Sequence, residues 1–131
     1  MIKPAKIQVR FADFDMMGHI NNAVYLSYFE QARLHYFEQL VGGDWDYKKE
    51  GMLLVKNEIT YIKPIKLHEV PEISLHLIEM GNKSITLGYD VQVNGETRTT
   101  GSSKVVCFDF TTQKSVPVFP KMKFAFENLE Q

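Results

Sequence analysis

An α+β domain, with one long helix held by a curved antiparallel sheet of about five strands, is the fold this sequence predicts. Three observations carry that reading. Only the stretch from Ala23 to about Val41 repeats its apolar and aromatic residues at helical spacing. Four later segments are long and rich in β-branched and aromatic residues, which fit a pleated, half-buried surface. Between the last two of these stands Asn94-Gly95, the strongest two-residue hairpin signal a sequence can carry.

The elements follow in order. From Lys6, the alternation of Ile7, Val9 and Phe11 with Gln8, Arg10 and Ala12 predicts a first strand of about seven residues with one buried face. Asp13 through Asn22 then supplies aspartate, glycine and asparagine, the chemistry of a loop, and Asn21 or Asn22 is placed to cap the helix that follows. In that helix Tyr25, Tyr28, Phe29, Ala32, Tyr36, Phe37 and Leu40 form a broad stripe, and Gly42-Gly43 gives its C-terminal stop. A stripe this wide and aromatic suits a helix partly wrapped by a sheet. Strands are predicted over 52–62, 70–80, 84–93 and 96–110, with turns at Gly81-Asn82 and Asn94-Gly95 and a break at Lys63-Pro64. One helix inserted after a first strand and followed by consecutive strands gives an α+β domain. The tail from Val116, with Pro117 and Pro120, fits either coil or a short terminal helix.

Composition narrows the function classes. A chain of 131 residues, 44% of them hydrophobic, suits a single domain spanning residues 1–131 with a real core. Fifteen basic against 16 acidic residues leave a net charge of −1, which gives no electrostatic reason to expect nucleic acid or an anionic membrane. The lone Cys107 excludes an internal disulfide and fits a reducing, cytoplasmic setting, where it reads as a small buried hydrophobe. No stretch approaches the roughly 18 apolar residues of a membrane span, and the N-terminus lacks a signal-like apolar run. The expectation is a soluble, unprocessed protein.

Chemistry concentrates in one place. Asp13, Asp15, His19, Asn21 and Asn22 fall within ten residues between the first strand and the helix. Loops held by a rigid scaffold often carry function, and a helix start offers unpaired N–H groups and a positive dipole end that stabilise a developing oxyanion. A carboxylate beside them would act as nucleophile or general base. The same residues also serve as Asx turns and caps, so spacing alone does not identify an enzyme.

The run Arg10-Phe11-Ala12-Asp13-Phe14-Asp15-Met16-Met17-Gly18-His19-Ile20-Asn21-Asn22-Ala23-Val24-Tyr25-Leu26, continued by Tyr28-Phe29-Glu30-Gln31-Ala32-Arg33, resembles the signature of the 4-hydroxybenzoyl-CoA thioesterase-like hot-dog proteins. It is also similar to the catalytic stretch of plant acyl-ACP thioesterases. More loosely, Tyr61 to Ile65 and the turn Gly81-Asn82-Lys83-Ser84 resemble segments of such proteins. The resemblance implies a hot-dog fold and hydrolysis of an acyl-CoA thioester, or of an acyl-carrier-protein thioester, with no cofactor beyond the coenzyme A of the substrate. It places the acidic catalytic residue at Asp15 and the oxyanion site at the helix start near Asn21 and Asn22, with His19 auxiliary. The asparagine that the plant enzymes carry two residues before their histidine is Met17 here, so His19 has no asparagine partner at that position. Asp13 is assigned to orienting the loop.

Substrate contacts are expected from Asn21, from Tyr25 as an acyl-pocket or core residue, from Lys63 toward the coenzyme A phosphates, and from Ser84. His35, His68 and His76 lack partners at metal-ligand spacing, so no metal site is expected. Two other functions compete with hydrolysis: non-catalytic acyl-CoA binding, and hydration or dehydration of an acyl thioester on the same fold. The resemblance implies a homodimer or homotetramer. An open sheet with exposed edges agrees, since 84–93 and 96–110 carry few proline or charge devices to protect an edge. A site shared between subunits, with Asp15 and the helix start on different chains, follows as a further expectation.

Overall fold

The computed structural model describes residues 2–129. It contains β1 (Ala5–Lys6), 3-10 turns at Phe11–Asp13 and Asn22–Val24, α1 (Tyr25–Val41), β2 (Gly51–Tyr61), β3 (Glu72–Met80), β4 (Ser84–Val93), β5 (Glu96–Asp109), β6 (Lys114–Ser115) and α2 (Pro120–Glu127). The strands form one antiparallel sheet in the order β1-β3-β4-β5-β2, with the short β6 also pairing with β5. One long helix and five strands along the sheet's path match the predicted architecture.

Period-2 alternation decides the inner face. In β4, Ile85, Leu87, Tyr89 and Val91 are buried, and they meet Ile73 and Leu75 of β3 and Val105 and Cys107 of β5 in one core. Against this face α1 lays Tyr25, Tyr28, Phe29, Ala32, Tyr36, Phe37 and Val41. Each of the larger of these side chains contributes about 1.5–3 kcal/mol on full burial. Irregularities at Leu54/Lys56 in β2 and Leu77/Glu79 in β3 bend the strands, which lets a sheet curve around a helix.

Helix and sheet approach closely at Phe29, whose ring stacks on Tyr89 at 4.0 Å and covers Gly101. A Cβ at Gly101 would lie 2.5 Å from the Phe29 ring and 2.8 Å from the Glu58 carbonyl oxygen across the ladder. Glycine is therefore required for packing. Gly101→Ala should lower unfolding free energy by about 1–3 kcal/mol, the usual cost of overpacking. An unchanged urea midpoint would contradict this.

Two expectations need correction, and one open choice is decided. The first strand stops after two residues, because its partner strand runs out at Pro71. The Pro71 carbonyl takes the Ile7 N–H, but proline has no N–H to return, and the chain then turns at Arg10 into a 3-10 helix. Phe11 consequently stands 85% exposed. The unprotected sheet edge falls on β2, not on 84–93 or 96–110, which are the two central strands β4 and β5. Along β2, Leu53, Leu54 and Val55 are exposed. The tail resolves to a helix, α2, started by Pro120 at its first turn and docked by Phe126 edge-on to Phe37 of α1 at 5.3 Å.

Candidate active site

The loop between β1 and α1 is framed by Asp13. Its carboxylate is 1% exposed, takes the Tyr28 hydroxyl at 2.7 Å and the Arg10 amide at 3.0 Å, and pairs with the Arg10 guanidinium at 3.1 Å. Burial pushes the Asp13 carboxyl up, but the Arg10 amide, the Tyr28 hydroxyl and the Arg10 guanidinium outweigh it and hold the group below the ordinary carboxylate range. Its main-chain carbonyl takes the Asn21 N–H at 2.8 Å, so one residue ties both ends of the loop. Asp13 is committed to structure.

Asp15 sits inside this frame. Its Oδ1 accepts the Met17 N–H at 2.9 Å and the His19 N–H at 3.2 Å, while its own N–H donates to the His19 carbonyl at 2.8 Å. Gly18 closes the turn at φ 74°, a left-handed conformation that favours glycine. Among the described residues no donor reaches Oδ2, which leaves that oxygen for a ligand. A carboxylate fixed by one oxygen and free at the other is oriented without being consumed.

The helix start lies on the same cleft. Asn21 is the N-cap of the 3-10 turn Asn22–Val24 that leads into α1, its Oδ1 accepting the Ala23 N–H at 2.9 Å and its carbonyl the Val24 N–H at 3.0 Å. This settles which asparagine caps. The Asn22 N–H has no acceptor among the described residues, while the Asn22 carbonyl takes the Tyr61 hydroxyl at 2.8 Å. The cleft encloses about 510 Å³ between Asp15, His19 and the Asn21-Asn22 helix start on one side and Tyr61 to Pro64 on the other. Asp15 and the Asn21-Asn22 helix start therefore line one cleft of this chain.

Of the residues singled out in the sequence, Asp15, His19, Asn21, Asn22, Tyr25 and Lys63 meet in this cleft. Tyr25 is also a core residue, 2% exposed and edge-on to both Tyr28 and Tyr61. The Lys63 Nζ lies 3.3 Å from the Glu96 carboxylate in an exposed pair. Ser84 is elsewhere: it begins β4 opposite Val106, whereas the cleft flanks the other end of the sheet, where Tyr61 pairs with Thr99. His35 bonds the Lys3 carbonyl and His76 packs on Gly88, both away from the cleft. Cys107 is buried, and burial pushes its thiol up. Among the described residues no group of three His, Cys, Asp or Glu side chains is arranged to hold a metal ion, and no helix is long and apolar enough to cross a membrane.

Tyr61, Ile62 and Pro64 form a wall that residue chemistry did not single out. Tyr61 ends the alternating pattern of β2 and reads there as one more strand aromatic. Its separation from Asn22 by 39 positions hides the contact.

Known proteins share this architecture. Residues 9–126 match the thioesterase-like superfamily. The chain is 29% identical over 129 residues to the long-chain acyl-CoA thioesterase FadM of Escherichia coli, covering 96% of each. It is 31% identical over 113 residues to YsmA of Bacillus subtilis, covering 85% of this chain and 76% of that one. Among solved structures, a thioesterase from Thermus thermophilus complexed with coenzyme A and Zn superposes with a TM-score of 0.82 at 30% identity, over 94% of this chain and 90% of that one.

Proposed function

This chain belongs to the thioesterase-like superfamily, and from that premise we propose that it hydrolyses acyl-CoA thioesters, with Asp15 supplying the reactive carboxylate. The observation that carries the reading is that the free Oδ2 of Asp15 and the unpaired Asn22 N–H belong to one cleft. A thioester carbonyl seated there would direct its oxygen to the free Asn22 N–H, where a positive dipole end meets the charge that develops during attack. Asp15 would then either deprotonate a water that attacks the carbonyl carbon or attack it directly. Direct attack forms an anhydride and releases the thiolate, after which water cleaves the anhydride to the acid and restores the carboxylate. Thiolate leaves readily, so little proton donation to it is needed. Lys63, exchanging Glu96 for a phosphate, would hold the coenzyme A end, and an acyl-carrier-protein thioester presents the same reacting group.

His19 contributes through its main chain, which brackets Asp15 from both sides. His19→Ala should thus lower kcat by less than Asp15→Asn does, on the order of 10-fold or below. Loss of activity as complete as that of Asp15→Asn would make the pair jointly catalytic. The function itself is tested by a panel of acyl-CoA thioesters of graded length, aromatic acyl-CoA and acyl-carrier-protein thioester, assayed for free thiol. Turnover of at least one acyl-CoA is expected. Tight binding across the panel without thiol release would mark a binding protein instead.

We propose further that the protein works as a homodimer or as a tetramer of such dimers, joined through β2. An eleven-residue strand left at a sheet edge with Leu53, Leu54 and Val55 exposed invites pairing with a second copy.

A further inference from the structure

Arg98 of β5 has its side chain 8% exposed, and it is bound on all sides. Nη1 donates to the Pro64 carbonyl at 2.8 Å and to Glu69 Oε1 at 3.0 Å, Nη2 donates to Glu69 Oε2 at 2.8 Å, and Nε reaches Glu96. Its main-chain carbonyl takes the N–H groups of Ile62 and Lys63, each at 2.9 Å. Glu69 in turn receives the Lys66 N–H at 2.7 Å. The whole segment from Ile62 to Glu69 is thus fastened to one guanidinium and its carbonyl. That segment also touches the Asp15 loop directly: Ile20 N–H donates to the Ile65 carbonyl at 2.9 Å, and Leu67 N–H to the Gly18 carbonyl at 3.3 Å.

We propose that Arg98, through its bidentate pair with Glu69, is a positioning residue that fixes the Ile62–Glu69 segment against the Asp15 loop and thereby sets the geometry of the reaction. This rests on the thioesterase reading for its kinetic consequence, but not for its structural one. The planar fork of arginine matches a carboxylate with two parallel bonds, which constrains direction as well as distance. Hydrogen bonding from Arg98, then from the Lys66 amide, holds the Glu69 carboxyl down to about 2. An ion pair like this one, with Arg98 buried and Glu69 partly exposed, contributes little net stability and is often replaceable by apolar residues, so a fastening role accounts for the arrangement better than stability does. Reacting groups misplaced by about 1 Å lose on the order of 100-fold in rate, so the segment's hold on the loop matters kinetically.

The test compares Arg98→Met, the double variant Arg98→Met with Glu69→Met, and Met122→Ala, a core change on α2 away from the cleft. Removing both charges together protects against a variant that merely fails to fold. Well below the melting temperature, both Arg98 variants should lose kcat at least about 10-fold on acyl-CoA, and amide exchange should accelerate at Ile20 and Leu67 but not at Leu87 in the core. Met122→Ala should lose melting temperature while keeping kcat, because stability alone is not the cause. Unchanged kcat or unchanged Ile20 and Leu67 protection in the folded double variant overturns the proposal. If the unsubstituted protein releases no thiol, the proposed function fails instead, and the exchange measurement alone decides whether Arg98 positions the loop.

Discussion

Asp15→Asn should lower kcat by at least about 100-fold while leaving the protein folded. The amide oxygen of asparagine can keep the place of Oδ1, accepting the Met17 and His19 N–H groups, so the turn has no reason to open. What changes is the other atom: Oδ2 becomes an NH₂, which neither attacks a carbonyl carbon nor takes a proton from water. Because the turn survives, KM should change far less than kcat, separating chemistry from binding. Steady-state kinetics with unchanged far-UV circular dichroism checks both halves. Turnover near the unsubstituted level in a folded variant would remove Asp15 from the reaction.

Charging the β2 edge should have the second large effect. In solution the protein should scatter light at no less than about twice its 15.2 kDa chain mass. Leu54→Lys combined with Val55→Lys places two cations on the exposed edge, where two copies would bring like charges together. The variant should run as a monomer, melt lower and lose at least about 10-fold in activity, since Tyr61, which walls the cleft, ends that same strand. A monodisperse 15.2 kDa particle of the unsubstituted protein that hydrolyses acyl-CoA would contradict the assembly.

The parts of the fold legible in the sequence are those set by local periodicity. The α1 stripe and its Gly42 stop place the helix, and Asn94-Gly95 places the β4–β5 hairpin, because in both the deciding interactions lie within a few residues. The first strand misleads because alternation records which side chains suit a strand and not whether a partner strand is there to pair. Pro71, far along the chain from Ile7, ends that pairing. The identity of the edge strand is equally non-local, being fixed when β2 pairs with the distant β5. The candidate site divides the same way. Asp15, His19, Asn21 and Asn22 are neighbours in sequence and are read together, whereas Tyr61, Pro64 and Arg98 reach the cleft or its wall only through sheet register. Ser84 stands apart because a ten-residue β4 spans about 30 Å and carries its first residue away from the cleft end.

The most direct test of hydrolysis through Asp15 is product stoichiometry: purified protein and its Asp15→Asn variant are each incubated with an acyl-CoA, and thiol and carboxylic acid are quantified together. The unsubstituted protein should release the two in equal amounts over many turnovers, and the variant should release them about 1% as fast or slower. Acyl-CoA recovered intact from the unsubstituted protein, or equal release by the two, would contradict the account.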